Sequence, residues 1–193
     1  QGDVGSGKTL VALAALLIAV EAGGQGALMA PTEILARQHL ANLQPLAESA
    51  GVVLEILTGR DKGKDRIAKL AALADGKIQI LVGTHALFQK DVEFHDLRLA
   101  VIDEQHRFGV AERMQLGSKG RAVDVLVMTA TPIPRSLDLT MYGEMEISIL
   151  DEKPPGRTPI TTALVSAGRM DQVVDRLRKA VAEGRQAYWV CPL

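Results

Sequence analysis

The chain has 193 residues and a formal net charge of −1, so it carries no global positive charge that would attract nucleic acid. The sequence does not exclude local contacts between backbone amides and a nucleic acid. It is 47% hydrophobic but only 3% aromatic, which means that its core has to be aliphatic. The single cysteine, Cys191, excludes an internal disulfide and is compatible with a reducing compartment.

The first element is a glycine-rich loop that fits the pattern G-x-x-x-x-G-K-T: Gly2, Asp3, Val4, Gly5, Ser6, Gly7, Lys8 and Thr9. Small residues there let consecutive backbone N–H groups surround a phosphate chain. Lys8 is suited to the β- and γ-phosphate oxygens, and the Thr9 hydroxyl to Mg²⁺. A plain glycine turn is the alternative, but it leaves Lys8 and Thr9 unexplained. The loop therefore predicts a nucleotide site.

The apolar run Leu10–Val20 predicts a helix whose positive N-terminal end faces the bound phosphate. Together with Lys8 it mimics a secretory signal, but the phosphate loop accounts for the same residues. The run is also too short to cross a membrane. We therefore expect a cytoplasmic protein with no membrane partner.

Short aliphatic runs alternate with helical patterns along the chain, which predicts an α/β fold with a parallel sheet and helices on both faces. The predicted strands are Ala27–Ala30, Val52–Leu57, Ile78–Val82, Leu99–Ile102, Val123–Met128 and Glu146–Ile149. Two sets of residues at helical spacing predict buried helix faces: Ile67, Leu70, Ala71 and Ala74, then Met170, Val173, Val174, Leu177 and Val181.

The domain boundary is predicted at residues 153–159, where three prolines and a glycine favour a linker. Residues 1–152 then form one domain. A phosphate loop normally follows a buried strand, and only Gln1 precedes this one, so we expect that domain to lack its first strand. Residues 160–193 are expected to begin a second α/β domain, with strands at Ile160–Val165 and Ala187–Cys191.

A second chemical element is the carboxylate pair Asp103 and Glu104 at the end of an aliphatic strand. Asp103 is suited to hold Mg²⁺ through its water shell, and Glu104 to orient and deprotonate an attacking water. Alone, such a pair is more often a solvated strand end. Because parallel strands end at one crevice, however, this pair can face Lys8. We therefore expect ATP hydrolysis.

Asp103-Glu104-Gln105-His106 and Met128-Thr129-Ala130-Thr131-Pro132 resemble two motifs of the superfamily 2 nucleic-acid helicases. The resemblance implies a RecA-like P-loop NTPase domain that uses ATP and Mg²⁺, in which His106, Thr129 and Thr131 couple the nucleotide and DNA sites. It also implies backbone contacts to DNA at strand ends, from Pro31, Thr32, Thr58, Gly59, Thr84 and His85.

Plain structural roles remain open for several of these residues. His106 fits a structural hydrogen bond, and the threonines fit simple β-formers. The strand-end residues fit ordinary turn chemistry. His39 is spaced with Leu35 and Leu43 on one helix face, which favours a packed core histidine.

Three longer stretches, Asp103–Val110, Met128–Arg135 and Pro154–Arg157, resemble more narrowly the bacterial translocases of branched DNA. That likeness implies work on replication forks and Holliday junctions in recombination and repair, with an N-terminal wedge domain and a second motor domain as partners. Without the second domain's arginine finger, hydrolysis by the chain alone should fall by roughly 10³-fold or more. The alternatives are a transcription-repair coupling translocase and a phosphate-loop switch without motor activity.

Overall fold

The computed structural model describes residues 1–104, 122–130, 146–152, 156, 158 and 160–191. The chain divides into two compact units, Gln1–Pro155 and Gly156–Leu193. Within the described ranges, every helix is too short or too polar to span a bilayer. The assignment of the second unit as the start of a second motor domain stays a prediction.

The first unit is built on a parallel sheet. Its described elements, in chain order, are α1 (Lys8–Glu21), β1 (Gln25–Met29), α2 (Glu33–Ser49), β2 (Leu54–Leu57), α3 (Gly63–Ala74), β3 (Ile80–Gly83), a 3₁₀ helix (His85–Phe88), β4 (Leu97–Asp103) and β5 (Asp124–Met128). The five strands run in the order β2-β3-β1-β4-β5, and each neighbouring pair is parallel.

Both faces of the sheet are covered, because successive residues of a strand point to opposite sides. On one face, Leu28 of β1 packs in a cluster with Leu16 of α1 and Leu43 of α2. On the other face, Met29 of β1 lies in a cluster with Leu73 of α3. The predicted parallel sheet with helices on both faces is confirmed, as are its first five predicted strands.

All strand ends that matter for the site lie along one edge of this sheet. In sheet order, the residues that follow the strands are Thr58, Thr84, Ala30, Glu104 and Thr129. The Gly2 N–H then donates to the Thr129 carbonyl at 3.2 Å, so the glycine-rich loop adjoins the β5 end. The carboxyl edge therefore carries both motifs that the sequence singled out.

The predicted strand Glu146–Ile149 is wrong. Leu150 instead makes an isolated parallel bridge with Gly2. The Leu150 N–H donates to the Gln1 carbonyl at 2.8 Å, and the Gln1 ammonium donates to the Ser148 carbonyl at 2.6 Å. The segment therefore pairs with the glycine-rich loop at one point only.

The second unit also departs from expectation. Its described residues form a 3₁₀ turn, Ala167–Arg169, and a helix α4, Met170–Ala182, and the segments Ile160–Val165 and Ala187–Cys191 are not strands there. Their side chains are exposed, and a strand is stable only with a neighbour that satisfies its backbone. The helix α4 is present, but the apolar residues predicted to be its buried face stay at least partly exposed.

The buried face of α3 is rotated from the predicted one. Ile67 is 68% exposed, whereas Leu73 is only 1% exposed. The inward side also carries two cations, Arg66, bonded to Asp91 at 2.9 Å, and Lys69, bonded to the Ile56 carbonyl at 2.6 Å. Their aliphatic stems cover apolar surface while their charges find partners, which the hydrophobic spacing alone does not reveal.

Candidate functional site

The glycine-rich loop has the backbone that its glycines were expected to provide. Gly5 and Gly7 have φ values of 83° and 92°, a left-handed conformation that only glycine adopts without strain. A Cβ on Gly7 would meet nothing within 4 Å, so its backbone angle, and not crowding, requires glycine. The Gly7 carbonyl accepts the Leu10 and Val11 N–H groups at 2.9 and 3.2 Å. The loop thus leads directly into α1.

Inside the loop, two polar side chains bear on anion binding. The Lys8 ammonium donates to the carbonyls of Gly2 and Asp3 at 2.6 and 2.8 Å, so it folds over the loop. The Ser6 hydroxyl is buried and has no hydrogen-bond partner within the described chain. A buried polar atom of this kind is satisfied in most proteins by a hydrogen-bond partner, which a bound ligand or an ordered water can supply. The loop therefore fits a phosphate group.

The acidic pair lies at the same sheet edge as this loop. Asp103 is in register with Met128 of β5, and the next residue, Thr129, accepts the hydrogen bond from Gly2. Two strand spacings, about 10 Å, therefore separate the start of the loop from Asp103. This is a distance that a magnesium–triphosphate group can bridge. Thr9, the other predicted magnesium ligand, lies half-buried in the first turn of α1.

Glu104 has a φ of 53° and is the only non-glycine residue with a positive φ in the described ranges. Such a conformation costs an L-residue roughly 1–2 kcal/mol. Strained backbone of this kind concentrates at functional positions, which supports a chemical role for Glu104.

The partner of Asp103 was not expected from the sequence. The Nε2 atom of His39, on α2, lies 2.9 Å from Asp103 Oδ2, and Asp103 Oδ1 accepts the Glu104 N–H at 3.0 Å. His39 is only 7% exposed, so the expected burial is correct, but its partner Asp103 was not predicted. One usable signal was a polar residue within an otherwise apolar helix face, Ala36, His39, Leu43 and Ala47.

The six residues expected to contact DNA differ in how far their side chains are exposed to solvent. Thr32, Gly59 and His85 are exposed, and Pro31 is half-buried. Thr58 and Thr84 are buried, at 0% and 5% exposure. Thr32 also caps α2, because its hydroxyl accepts the Leu35 N–H at 3.3 Å.

The turn after β2 is organised by Asp61. Its carboxylate accepts the Thr58 N–H at 2.7 Å, the Thr58 hydroxyl at 3.0 Å and the Lys69 ammonium at 3.0 Å. Burial alone would raise the pKa of Asp61, but these hydrogen bonds outweigh it and hold the pKa below its usual value. Thr58 thus shapes the turn that presents Gly59 and Arg60.

Of the predicted coupling residues, His106 and Thr131 lie outside the described residues, as does Gln105. Thr129 is described and is 3% exposed. Its carbonyl holds Gly2, so it connects the end of β5 to the glycine-rich loop.

Comparison with known proteins agrees with this geometry. The family model described as "DEAD/DEAH box helicase" matches residues 1–140. The chain is 55% identical to the ATP-dependent DNA helicase RecG of Pasteurella multocida (strain Pm70) and 52% identical to that of Escherichia coli (strain K12). Each match covers 100% of this chain but 29% of the relative, so the chain spans under a third of the length of these relatives.

A solved structure gives the same result for the fold. The structure of RecG bound to a three-way DNA junction superposes with a TM-score of 0.82 at 44% identity, over 100% of this chain and 26% of that one. The RecA-like fold and the narrower likeness to the bacterial translocases of branched DNA are both confirmed. The chain belongs to the DEAD/DEAH box helicase family.

Proposed function

We propose that the chain contains the ATP-binding motor domain of a RecG-type DNA helicase. The domain spans residues 1–152, and the start of a second motor domain follows from residue 160 after a linker at residues 153–159. ATP hydrolysis there would drive movement on forks and Holliday junctions during recombination and repair, in the cytoplasm. A wedge domain and the rest of the second motor domain would complete the protein.

One observation carries this proposal: the glycine-rich loop and the carboxylate pair share one sheet edge through Thr129 and Met128. A phosphate chain held by the loop would therefore reach the pair. A simple nucleotide switch has no need for the strand-end hydroxyls on the same edge. The transcription-repair alternative is weaker because the full-chain relatives bear the RecG name.

Each residue of the nucleotide site has a distinct task in this proposal. The backbone N–H groups of the glycine-rich loop would surround the phosphates, apart from that of Gly2, which is bonded to the Thr129 carbonyl. Lys8 would leave its carbonyl partners for β- and γ-phosphate oxygens. Thr9 and Asp103 would hold Mg²⁺, Asp103 through the water shell of the ion. Bound Mg²⁺ draws charge from the phosphate oxygens. Glu104 orients the attacking water and takes its proton.

The DNA path lies along β2, β3 and β1 at the same edge. Exposed Thr32, Gly59 and His85 are the groups able to reach a phosphodiester backbone there. Buried Thr58 and Thr84 act on the path through the turns that they shape. Contacts of this kind hold DNA without reading its sequence. Thr129, with His106 and Thr131, would couple this path to the nucleotide.

The substrate class is tested by comparing two DNAs of equal length and base composition with the full-length protein. We expect a three-way junction to stimulate steady-state ATP hydrolysis more strongly than linear duplex, because the wedge domain would recognise the branch. The ratio should hold across a series of salt concentrations, since salt alone weakens all phosphate contacts. Equal stimulation by both DNAs would contradict specialisation for branched DNA.

Arg60 is a further candidate phosphate contact beside Gly59. Its side chain is 79% exposed and is held by Glu33, with Nε 3.2 Å from Glu33 Oε2. We expect Arg60→Gln to weaken DNA binding equally for all sequences and to lower the slope of log affinity against log salt by about 1. ATP hydrolysis without DNA should not change.

Arg98→Gln is the matched control for this measurement. Arg98 is also an exposed arginine in an ion pair, with Asp96 at 2.8 Å, but it lies at the amino end of β4, on the opposite edge. The slope of log affinity against log salt for Arg98→Gln should equal that of the unsubstituted protein. If both variants change the slope alike, the proposed DNA path is wrong.

A further inference from the structure

The contact between His39 and Asp103 joins the element that follows β1 to the end of β4 at the carboxyl edge. His39 lies on α2, the helix that follows β1 and is capped by Thr32. Asp103 is the last residue of β4, which neighbours β1 on the side that leads to β5 and the glycine-rich loop. Their side chains are 9% and 13% exposed, so water competes little for the 2.9 Å contact. A bond between these elements fixes them relative to each other.

The chemistry of the contact decides which atom carries the proton. An ionised carboxylate only accepts hydrogen bonds, so His39 must donate through an Nε2–H. Each oxygen of Asp103 then has one protein donor, His39 Nε2 on Oδ2 and the Glu104 N–H on Oδ1. A carboxylate oxygen has about two acceptor sites, so each one keeps a site for a water of a bound ion.

We infer that His39 is a positioning residue for the magnesium site, an inference that rests on the proposed function. It holds the Asp103 carboxylate in the orientation that receives the water shell of Mg²⁺. Mg²⁺ demands near-ideal octahedral geometry and gives up its waters reluctantly, so a carboxylate that turns freely binds it poorly. Loss of such an outer partner typically lowers metal affinity by 10–100-fold.

The test compares three substitutions of His39 in the full-length protein. His39→Leu keeps the buried bulk but removes the donor. His39→Gln keeps an N–H donor at nearly the position of Nε2, whereas the shorter His39→Asn does not reach it. The exposed histidine variant His95→Gln is the control.

Two readouts are needed. The first is the Mg²⁺ concentration that half-saturates ATP hydrolysis. The second is Mn²⁺ binding with ADP, followed by electron paramagnetic resonance, which requires no turnover. Thermal unfolding establishes that each variant is folded.

We expect His39→Leu to raise the half-saturating Mg²⁺ concentration and weaken Mn²⁺ binding by roughly 10–100-fold. His39→Gln and His95→Gln should stay close to the unsubstituted protein. If His39→Leu does not fold, the comparison of His39→Gln with His39→Asn takes its place, and the asparagine variant should show the same loss.

The inference is overturned if removal of the donor leaves metal dependence unchanged, or if the glutamine variant loses as much as the others. A purely structural histidine would lower the unfolding temperature without changing metal affinity. Should those results appear while Lys8→Ala still abolishes hydrolysis, the proposed function stands and only the role of His39 fails.

Discussion

The full-length protein with Lys8→Ala is expected to lose ATP hydrolysis by about 10²- to 10³-fold, the usual effect of removing one donor that stabilises transition-state charge. The substitution removes the only ammonium in the glycine-rich loop, the group placed to neutralise β- and γ-phosphate oxygens. Fork unwinding should disappear with hydrolysis. Steady-state release of phosphate and a gel assay of fork unwinding measure the two losses.

Lys77→Ala is the control for Lys8→Ala. Lys77 is exposed and pairs with Asp75 at 2.8 Å in the turn after α3, remote from the carboxyl edge. It should keep both activities. Normal fork unwinding by Lys8→Ala would contradict the proposal that ATP hydrolysis at this site drives movement on DNA.

Glu104→Gln is expected to separate nucleotide binding from hydrolysis. The amide keeps the size of the side chain but cannot take a proton from water, so the chemical step should slow by about 10²- to 10⁴-fold. Asp103, Lys8 and the loop stay intact, so ATP should still bind with nearly unchanged affinity. Single-turnover hydrolysis and titration with a fluorescent ATP analogue measure the two quantities.

Glu55→Gln serves as its matched control, since Glu55 is a half-exposed glutamate in a strand of the same sheet. That variant should hydrolyse ATP normally. A Glu104→Gln protein that retains full single-turnover hydrolysis would show that another group activates the water.

The sequence was sufficient for the centre of the sheet because β1 and β3 are mainly aliphatic runs buried on both faces. All five residues of Gln25–Met29, for example, are buried. Such near-continuous apolar runs are typical of strands in a parallel sheet covered on both faces. The predicted strand Glu146–Ile149 failed, and the only bridge near it joins the next residue, Leu150, to Gly2. Strand pairing is a tertiary property, and apolar spacing does not encode it.

The nucleotide site was predictable because its motifs have fixed spacing. The glycine-rich loop needs its glycines at set positions, and Gly5 and Gly7 indeed adopt positive φ angles. The contact between His39 and Asp103 joins residues 64 positions apart, so no local pattern encodes it. The burial of Thr58 was equally hidden, since it depends on the turn that Asp61 closes.

The position of the Lys8 ammonium has a consequence for the kinetics of nucleotide capture. Its bonds to the Gly2 and Asp3 carbonyls use two of its three N–H donors. The third donor can meet a phosphate oxygen directly, and each further contact to the phosphates requires the release of one carbonyl. Capture of a triphosphate therefore includes an exchange of hydrogen-bond partners at Lys8.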